Sequence, residues 1–280
     1  MKRRDITGKT VWAGVIGWPV SHSLSPLIHN HWCAQYGIDA AYLALPVQPQ
    51  ELGKVIPALA QMGCVGVNLT IPHKELVVGQ LQQVDTLARR IGAVNTVVVK
   101  ESALYGYNTD AYGFWRNITT YAPDVRTEKA FVIGAGGAAR AVVAALDEAG
   151  FHTIYVMNRS PDKAALLREV SPKVQMVEWF PAAEEIEGCD LLVNTTSLGM
   201  QGQPPLEVAL GKLPRHALVT DIVYTPLETP LLKAAKLLEL QTVDGLGMLI
   251  YQAQKAFELW FGVLPEADDG LRGLLEEKLA

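Results

Sequence analysis

One loop constrains the fold of this chain more than any other feature. Gly134-Ala135-Gly136-Gly137-Ala138-Ala139 reads G-x-G-x-x-A, and it stands between an apolar run, 130–133, and an Ala-rich run, 139–149. In such a strand-to-helix loop, the first Gly permits the tight turn, the second admits a pyrophosphate, and a small third residue lets helix and strand pack. The helix N-terminus adds unpaired N–H groups and a positive dipole end. The pattern predicts a Rossmann-type dinucleotide-binding domain whose cofactor contacts Gly134, Ala135, Gly136, Gly137 and Ala138.

The end of the next predicted strand, 153–157, indicates which dinucleotide binds. An NAD site needs an acidic residue about 20 residues after the glycines, but this strand ends in Asn158-Arg159-Ser160, and Lys163 follows one turn later. An Arg suits a 2′-phosphate, because its guanidinium forms bidentate charge-assisted hydrogen bonds. We therefore expect NADP(H) over NAD(H). The alternative is a solvent-facing Arg159 on a loop.

Length and composition limit the classes of protein. The 280 residues suggest two domains, at roughly 100 to 200 residues per domain. With 49% hydrophobic and 19% charged residues, the chain can bury a core, which excludes wholesale disorder. The formal net charge of −5 argues against a nucleic-acid or membrane partner, since either would require a basic surface. No apolar stretch approaches the ~18 residues of a membrane span.

The cysteines and histidines do not indicate a disulfide scaffold or a metal site. Cys33, Cys64 and Cys189 are scattered without CxxC spacing, which favours a reducing compartment, and we expect a cytoplasmic protein. His29 and His31 lie two residues apart in a predicted helix and therefore point in different directions. We expect no metal.

Predicted strands and helices alternate along the chain. Strands are predicted at 11–16, 41–45, 65–71, 94–99, 104–107, 130–133, 153–157, 191–193 and 218–221, and helices at 25–36, 51–62, 75–91, 111–121, 139–149, 229–238 and 248–261. Repeated βα units imply an α/β protein with mainly parallel sheet covered by helices. We predict an N-terminal α/β substrate domain over 1–110, a Rossmann domain over 111–244, and an active-site cleft between them. The C-terminal helices, 245–280, are expected to pack back on the first domain.

Polar side chains follow the first predicted strand, in His22-Ser23-Leu24-Ser25-Pro26. Two hydroxyls beside a helix N-terminus form a natural site for a carboxylate. The Ser-Pro pair also predicts that Ser25 caps the next helix. Capping leaves Ser23 unexplained, so a role in binding an anionic group stays the sharper hypothesis.

A second polar group follows the third predicted strand, in Asn68-Leu69-Thr70-Ile71-Pro72-His73-Lys74. Because strand side chains alternate, Asn68 and Thr70 share one face, which suggests a lined cleft. Lys74 falls in the first turn of the following helix, where the dipole favours a neutral amine. A solvated surface lysine and a functional lysine both remain as explanations.

The predicted strands at 94–99 and 104–107 are separated by a short polar turn and form a predicted hairpin. Two more polar segments bracket it, Gly92-Ala93-Val94-Asn95-Thr96 and Gly106-Tyr107-Asn108-Thr109-Asp110. Asn95 fits either a turn or a ligand contact, since Asn is common in turns. Asp110 fits either a cap of the helix that follows or a contact in a site. The residues alone do not decide between the two roles of Asn95 or between the two roles of Asp110.

Taken together, these motifs resemble the shikimate dehydrogenase family. The matching segments run in family order from near residue 14 to near residue 262, and eight ordered motifs are more specific than any one of them. The length excludes the fused dehydratase form. The segments are His22-Ser23-Leu24-Ser25-Pro26, Asn68-x-Thr70-x-Pro72-x-Lys74, Gly92-Ala93-Val94-Asn95-Thr96, Asn108-Thr109-Asp110, the glycine loop through Arg140, Asn158-Arg159-Ser160, Asn194-Thr195-Thr196-Ser197-Leu198-Gly199-Met200, and Asp244-Gly245-Leu246-Gly247-Met248-Leu249.

The resemblance implies a reversible, NADPH-dependent reduction of 3-dehydroshikimate to shikimate in aromatic amino-acid (chorismate) biosynthesis. It implies that the substrate carboxylate lies at Ser23 and Ser25, and that the ring is surrounded by Thr70, Lys74, Asn95, Asp110, Tyr224 and Gln252. It also implies that the adenosine phosphate contacts Asn158, Arg159, Ser160 and Lys163, and that the rest of the cofactor lies near Thr195, Met200, Gly245 and Met248. Trp18 and His73 depart from the residues common in the family, at positions that carry no chemistry.

Lys74 is expected to act as the general acid in reduction and the base in oxidation, aided by Asp110. The helix end and desolvation lower the pKa of a lysine, whereas a neighbouring carboxylate raises it. We also expect closure around the ligands, and a monomer or homodimer.

Two alternatives remain. A quinate/shikimate dehydrogenase of broader specificity tends to carry an acidic residue at the strand end and to accept NAD, and Asn158-Arg159-Ser160 argues against it. A non-catalytic NADP(H)-binding regulator would keep the glycine loop but lose the polar set that includes Lys74 and Asp110, and both are present.

Overall fold

A computed structural model describes residues 5–179 and 186–279. The chain divides into two compact units. Unit 1 comprises the residues up to Thr109 together with Gln252–Lys278, and unit 2 comprises Asp110–Tyr251. The chain therefore passes from one unit to the other at Thr109/Asp110 and again at Tyr251/Gln252.

Unit 1 is built on a six-stranded mixed sheet in the order β2-β1-β3-β5-β6-β4. The strands β2, β1 and β3 are parallel, β5 runs antiparallel to β3 and β6, and β4 pairs parallel with β6. The elements are β1 (Val11–Gly17), α1 (Ser25–Gln35), β2 (Ala40–Pro46), α2 (Leu52–Gln61), β3 (Cys64–Leu69), α3 (His73–Leu76), β4 (Gln83–Val84), α4 (Thr86–Ile91), β5 (Thr96–Lys100) and β6 (Ala103–Tyr107).

One expectation for unit 1 is wrong, namely the continuous helix over 75–91. The segment instead contains α3, a 3₁₀ turn at Val78–Gln80, β4 and α4. Gln83 and Val84 pair with the outer edge of β6, so sheet pairing replaces helical hydrogen bonds there. The Asp85 carboxylate then caps α4 by accepting from the Ala88 amide, and Gly92 ends that helix at φ +73. An N-cap Asp and a left-handed Gly delimit a helix that is much shorter than the apolar pattern suggests.

Unit 2 is built on a six-stranded, wholly parallel sheet in the order β12-β11-β10-β7-β8-β9. This is the doubly wound Rossmann order, with a reversal of direction between β7 and β10. Buried apolar side chains on these strands, such as Phe131 and Leu192, form its core. The elements are α5 (Asp110–Tyr121), β7 (Lys129–Ile133), α6 (Gly137–Glu148), β8 (Thr153–Met157), α7 (Pro161–Ala165), β9 (Val174–Val177), β10 (Leu191–Asn194), β11 (Leu218–Asp221), α8 (Pro230–Leu237) and β12 (Gln241–Val243).

The C-terminal helices are α9 (Leu246–Phe261) and α10 (Asp269–Leu279). The part of α9 from Gln252 onward belongs to unit 1, where the Trp260 indole N–H donates to the Val97 carbonyl at 2.9 Å. The Trp32 indole N–H of α1 likewise donates to the Glu266 carbonyl at 2.9 Å. Across residues 5–179 and 186–279, no helix combines the length and the apolar character that crossing a membrane requires.

Candidate functional site

The glycine loop of unit 2 lies between β7 and α6, as the sequence predicts. Gly134 has φ +108, and a Cβ at this position would lie 2.6 Å from the Thr195 hydroxyl oxygen. Gly134 is therefore required both by its backbone conformation and by the close approach of the loop after β10. A Cβ at Gly136, the N-cap of α6, would meet nothing within 4 Å. The loop thus leaves open space beside a helix N-terminus, which fits the phosphates of a dinucleotide.

The edge of the sheet at the carboxyl ends of β7 and β10 is held by hydrogen bonds. The Thr195 amide and hydroxyl both donate to the Ile133 carbonyl, at 2.9 and 2.7 Å. Asn194 donates to Asp221 at 2.9 Å and accepts from the Thr196 amide at 3.0 Å. The loop that carries Thr195 and Met200 is therefore anchored at the reversal point of the sheet, where ligands bind in doubly wound folds.

The segment expected to select the cofactor follows β8, the neighbour of β7. The Asn158 side chain donates to the Ser160 carbonyl at 2.8 Å, and Ser160 is the N-cap of α7. Arg159 and Lys163 are both exposed. The turn at the carboxyl end of β8 and the start of α7 thus present Arg159 and Lys163 to solvent at the sheet edge where the glycine loop lies.

The polar residues of unit 1 gather at one sheet edge. The carboxyl ends of the parallel strands β1 and β3 meet there, and the antiparallel strand β5 begins beside them, because the Leu69 amide donates to the Asn95 carbonyl at 2.8 Å. The Thr70 amide donates to the Ile16 carbonyl at 2.9 Å, and the Val94 amide donates to the Lys74 carbonyl at 2.8 Å. Thr70 and Lys74 are half-buried.

The N-terminus of α1 lies after β1, and here the capping expectation is wrong. Leu24 is the N-cap residue and makes no side-chain capping bond, so Ser25 is the first helical residue. The Ser25 amide donates to the Ser23 hydroxyl oxygen at 3.3 Å. Pro26 is then the second helical residue, where its missing N–H costs no helical hydrogen bond because the first four N–H groups of a helix have no intrahelical partner. Ser23 and Ser25 therefore lie together beside the first turn of α1 without Ser25 serving as its cap.

Sequence reasoning missed a buried polar network beneath this edge. The Tyr42 hydroxyl donates to Asn68 at 2.7 Å, and Asn68 donates to the Thr96 hydroxyl at 3.0 Å. The Asn95 side-chain oxygen accepts from the Thr109 amide at 2.7 Å. Asn95, Thr96 and Thr109 are at most 2% exposed. The adjacency of Thr96 to Asn95 in the sequence was the available signal, but pairing with Tyr42 and Thr109 depends on strand register.

His29 lies in an aromatic cluster. Its ring stacks on Tyr42 with centroids 4.1 Å apart, and Trp32, Phe257 and Trp260 surround it. Burial lowers the pKa of His29 to about 3, which keeps the ring neutral. Within residues 5–179 and 186–279, no group of three or more His, Cys, Asp or Glu side chains is arranged to hold a metal ion.

The remaining predicted residues are divided between the units. Gln252 lies in α9 within unit 1, so this unit carries Ser23, Ser25, Thr70, Lys74, Asn95 and Gln252. Unit 2 carries Asp110, which is the first residue of α5 and 7% exposed. It also carries Tyr224, whose pKa is raised by burial, and every predicted cofactor residue. Gly245 and Met248 are buried near the start of α9, and Met200 is 39% exposed.

Comparison with known proteins extends these observations to nearly the whole chain. Residues 15–97 match the model of the shikimate dehydrogenase substrate binding domain, 117–201 that of shikimate / quinate 5-dehydrogenase, and 245–270 that of the shikimate 5′-dehydrogenase C-terminal domain. Shikimate dehydrogenase (NADP(+)) of Rhodospirillum rubrum is 52% identical over 95% of this chain and 97% of its own length.

Two solved structures show the same fold. Shikimate 5-dehydrogenase of Thermus thermophilus, in complex with NADP(H) and shikimate, superposes with a TM-score of 0.86 at 36% identity, over 96% of this chain and 100% of that chain. Quinate dehydrogenase of Corynebacterium glutamicum, in complex with NAD, superposes with a TM-score of 0.88 at 30% identity, over 95% of this chain and 99% of that chain. The predicted two-domain α/β architecture is confirmed. The ordered motifs, the doubly wound sheet and these similarities lead to one conclusion, that the chain belongs to the shikimate dehydrogenase family.

Proposed function

We propose that this protein is an NADP-dependent shikimate dehydrogenase, which reversibly reduces 3-dehydroshikimate to shikimate with NADPH in aromatic amino-acid biosynthesis. The observation that carries the proposal is the polar edge of unit 1. Segments that carry hydroxyl, amide and amine side chains follow the carboxyl ends of β1 and β3 and precede β5 beside them, where backbone hydrogen bonds join them. Such a set fits a small carboxylate bearing several hydroxyl groups.

On the substrate side, Ser23 and Ser25 bind the carboxylate, helped by the N-terminal amides of α1. The ring hydroxyls and the carbonyl contact Thr70, Lys74, Asn95, Asp110, Tyr224 and Gln252. Asn95 is held rigidly, since its side chain already bonds Thr109 at 2.7 Å through its oxygen and at 3.0 Å through its nitrogen. A preorganised amide of this kind orients a ligand at low entropic cost.

On the cofactor side, Gly134, Ala135, Gly136, Gly137 and Ala138 line the pyrophosphate, and Asn158, Arg159, Ser160 and Lys163 bind the 2′-phosphate. Bound NADPH supplies the hydride. Thr195, Met200, Gly245 and Met248 border the nicotinamide half. The open space at Gly136 and the cations after β8 both fit this group.

Proton transfer belongs to Lys74. In reduction, its Nζ donates a proton to the oxygen of the ring carbonyl as that oxygen gains negative charge; in oxidation, the amine accepts it from the hydroxyl. Asp110 binds a ring hydroxyl and assists Lys74.

The decisive assay follows NADPH absorbance with 3-dehydroshikimate as substrate. Lys74→Ala should lower kcat by about 10²- to 10⁴-fold with a modest change in KM, the usual contribution of general acid–base catalysis. The matched control is Lys100→Ala, an exposed lysine at the far end of β5, which should retain full activity. Near-full turnover by Lys74→Ala would remove Lys74 from the mechanism. Absence of turnover by the unaltered protein would refute the proposed function.

The second candidate is a quinate/shikimate dehydrogenase of broader specificity. It is favoured by the likeness to the Corynebacterium glutamicum quinate dehydrogenase. Oxidation of quinate with NADP⁺ and with NAD⁺ separates the two candidates, since the first proposal expects shikimate with NADP⁺ to be strongly preferred. A non-catalytic regulator would bind NADP(H) and turn over neither substrate.

The setting proposed for this enzyme is a reducing cytoplasm, in which Cys33, Cys64 and Cys189 persist as buried, reduced thiols. Its partners are then the small-molecule substrate and cofactor, with neither nucleic acid nor membrane, and the protein acts as a monomer or homodimer. Light scattering after size-exclusion chromatography distinguishes these two oligomeric states.

A further inference from the structure

We propose that Asn117, in the middle of α5, is a positioning residue that fixes the first turn of α9 and thereby the cofactor side of the site. The inference rests on the proposed function, because the effect of Asn117 on catalysis is measured as a change in the KM for NADPH. No motif in the sequence marks Asn117, and it is not among the residues that the family resemblance suggests.

Asn117 contacts Asp244 and Gly247, and all three residues lie within unit 2. The Asn117 side chain is 1% exposed, and its Nδ2 donates to the Asp244 carbonyl at 2.7 Å. No described residue donates an N–H or O–H to its Oδ1. Instead, Oδ1 lies against Gly247, because a Cβ built on Gly247 would overlap Oδ1 and lie 2.7 Å from Cγ. A Cα–H of Gly247 therefore points at Oδ1, the geometry of a weak C–H···O contact.

This contact supplies a physical reason for Gly247. A glycine inside a helix is unfavourable relative to alanine, because it loses more conformational freedom on folding. Gly247 is not among the residues with positive φ, so its backbone conformation does not require glycine. The space taken by the Asn117 amide does require it. Asn117 and Gly247 thus form a matched pair on α5 and α9.

The pair holds the segment that contains Gly245 and precedes Met248. Gly245 is itself packed against the chain after β11, since a Cβ there would lie 2.5 Å from the Ile222 carbonyl carbon and 2.7 Å from the Val223 oxygen. That chain leads directly to Tyr224. The turn at Gly245 therefore has no room to shift toward β11. Asn117 of α5 holds the same turn through its hydrogen bond to the Asp244 carbonyl. Without the amide, the Asp244 carbonyl loses this hydrogen bond and α5 no longer holds the turn.

A double-mutant cycle tests the proposal on the full-length protein. Asn117→Ala should raise the KM for NADPH and the Kd for NADP⁺ by about five- to tenfold, as expected for the loss of one buried hydrogen bond. The KM for 3-dehydroshikimate should stay within twofold. Gly247→Ala should weaken cofactor binding at least as much, because its methyl group displaces the amide. The double variant should be no worse than Asn117→Ala, because the methyl group then occupies vacated space.

The controls separate positioning from a general loss of stability. Gly273→Ala in α10, where a Cβ would meet nothing within 4 Å, should leave cofactor binding unchanged. Asn117→Asp keeps the size of the side chain but removes the donor to Asp244, and it should also weaken NADP⁺ binding. The proposal would be overturned if the losses of cofactor binding in Asn117→Ala and Gly247→Ala added in the double variant. It would also be overturned if Asn117→Ala and Asn117→Asp left the Kd for NADP⁺ unchanged. The Kd, measured by calorimetry, decides this even if the unaltered protein fails to reduce 3-dehydroshikimate, an outcome that refutes only the proposed function.

Discussion

At the scale of single residues, the proposed preference for NADP(H) over NAD(H) rests on Arg159. It lies in an exposed turn at the carboxyl end of β8, one position before the N-cap of α7. The Asn158 amide holds the Ser160 carbonyl and so fixes the backbone on either side of Arg159. A guanidinium at this place pairs with a phosphate through two parallel hydrogen bonds, whereas a ribose hydroxyl offers it no charge to neutralise.

Replacing Arg159 with Ala should therefore change cofactor preference. The charge-assisted bonds to a 2′-phosphate are worth about 1.5–3 kcal/mol, so the KM for NADPH should rise by about ten- to a hundredfold. The KM for NADH should barely change. Steady-state kinetics with both cofactors measure the ratio, and Arg126→Ala, an exposed arginine before β7, is the control. Equal losses with NADPH and NADH would show that Arg159 does not contact the phosphate.

At the scale of elements, Asp221 joins the ends of two strands to a helix. Its carboxylate accepts from Asn194 at the end of β10 at 2.9 Å, from the Val223 amide after β11 at 3.0 Å, and from the Thr229 hydroxyl at the N-cap of α8 at 2.8 Å. Burial raises the pKa of Asp221 from 3.8 to about 6, against the opposing effect of these hydrogen bonds. Asp221 thus links the loops that carry Thr195 and Tyr224. Because the group is buried, its charged form is disfavoured.

The raised pKa predicts how stability depends on pH. As pH rises from about 4 to about 6, the unfolded chain releases the Asp221 proton while the folded protein retains it. The folded state then binds more protons, so this group makes the free energy of unfolding fall across that window and level off above it. Asp221→Asn keeps the shape and the three contacts, with the Thr229 hydroxyl reversing its role. It should gain on the order of 2 kcal/mol over the unaltered protein between these pH values.

Urea unfolding at several pH values from 4 to 7.5 measures this difference. Asp124→Asn, an exposed carboxylate in the connector before β7, is the control and should run parallel to the unaltered protein. A free-energy gap between Asp221→Asn and the unaltered protein that does not widen with pH would show that Asp221 titrates normally.

At the scale of the whole molecule, the two halves of the proposed chemistry have separate supports. The network of Tyr42, Asn68 and Asn95 lies within unit 1, and the network of Asn194 and Asp221 lies within unit 2. We expect hydrogen bonds that stay within one unit to preorganise only the ligand proposed for that unit. Binary affinities for substrate and cofactor should therefore respond independently to substitution.

Ser25→Ala should raise the Kd for shikimate by about tenfold or more, because a hydrogen bond to a charged carboxylate is lost, while the Kd for NADP⁺ stays within twofold. Arg159→Ala should do the reverse. Calorimetric titration of each binary complex checks both values. If either variant weakens both ligands to the same extent, the two units do not bind their ligands independently.

The sequence by itself determined the features that depend on neighbours along the chain. The glycine loop needs a tight turn between an apolar strand and a helix, and all its signals lie within 20 residues of Gly134. The strand runs, the polar segments after β1 and β3, and the exposed cations after β8 are local in the same sense. Their order along the chain also identified the family.

Only the tertiary structure decided the features that depend on distant residues. The broken helix over 75–91 follows from the free edge of β6, and the fixed orientation of Asn95 follows from Thr109. Asn117 and Gly247 are 130 positions apart, and only the packing of α5 on the start of α9 brings them into contact. Propensity and periodicity describe a chain over a few turns, whereas these contacts are set by which backbone groups and side chains meet once the sheets have formed.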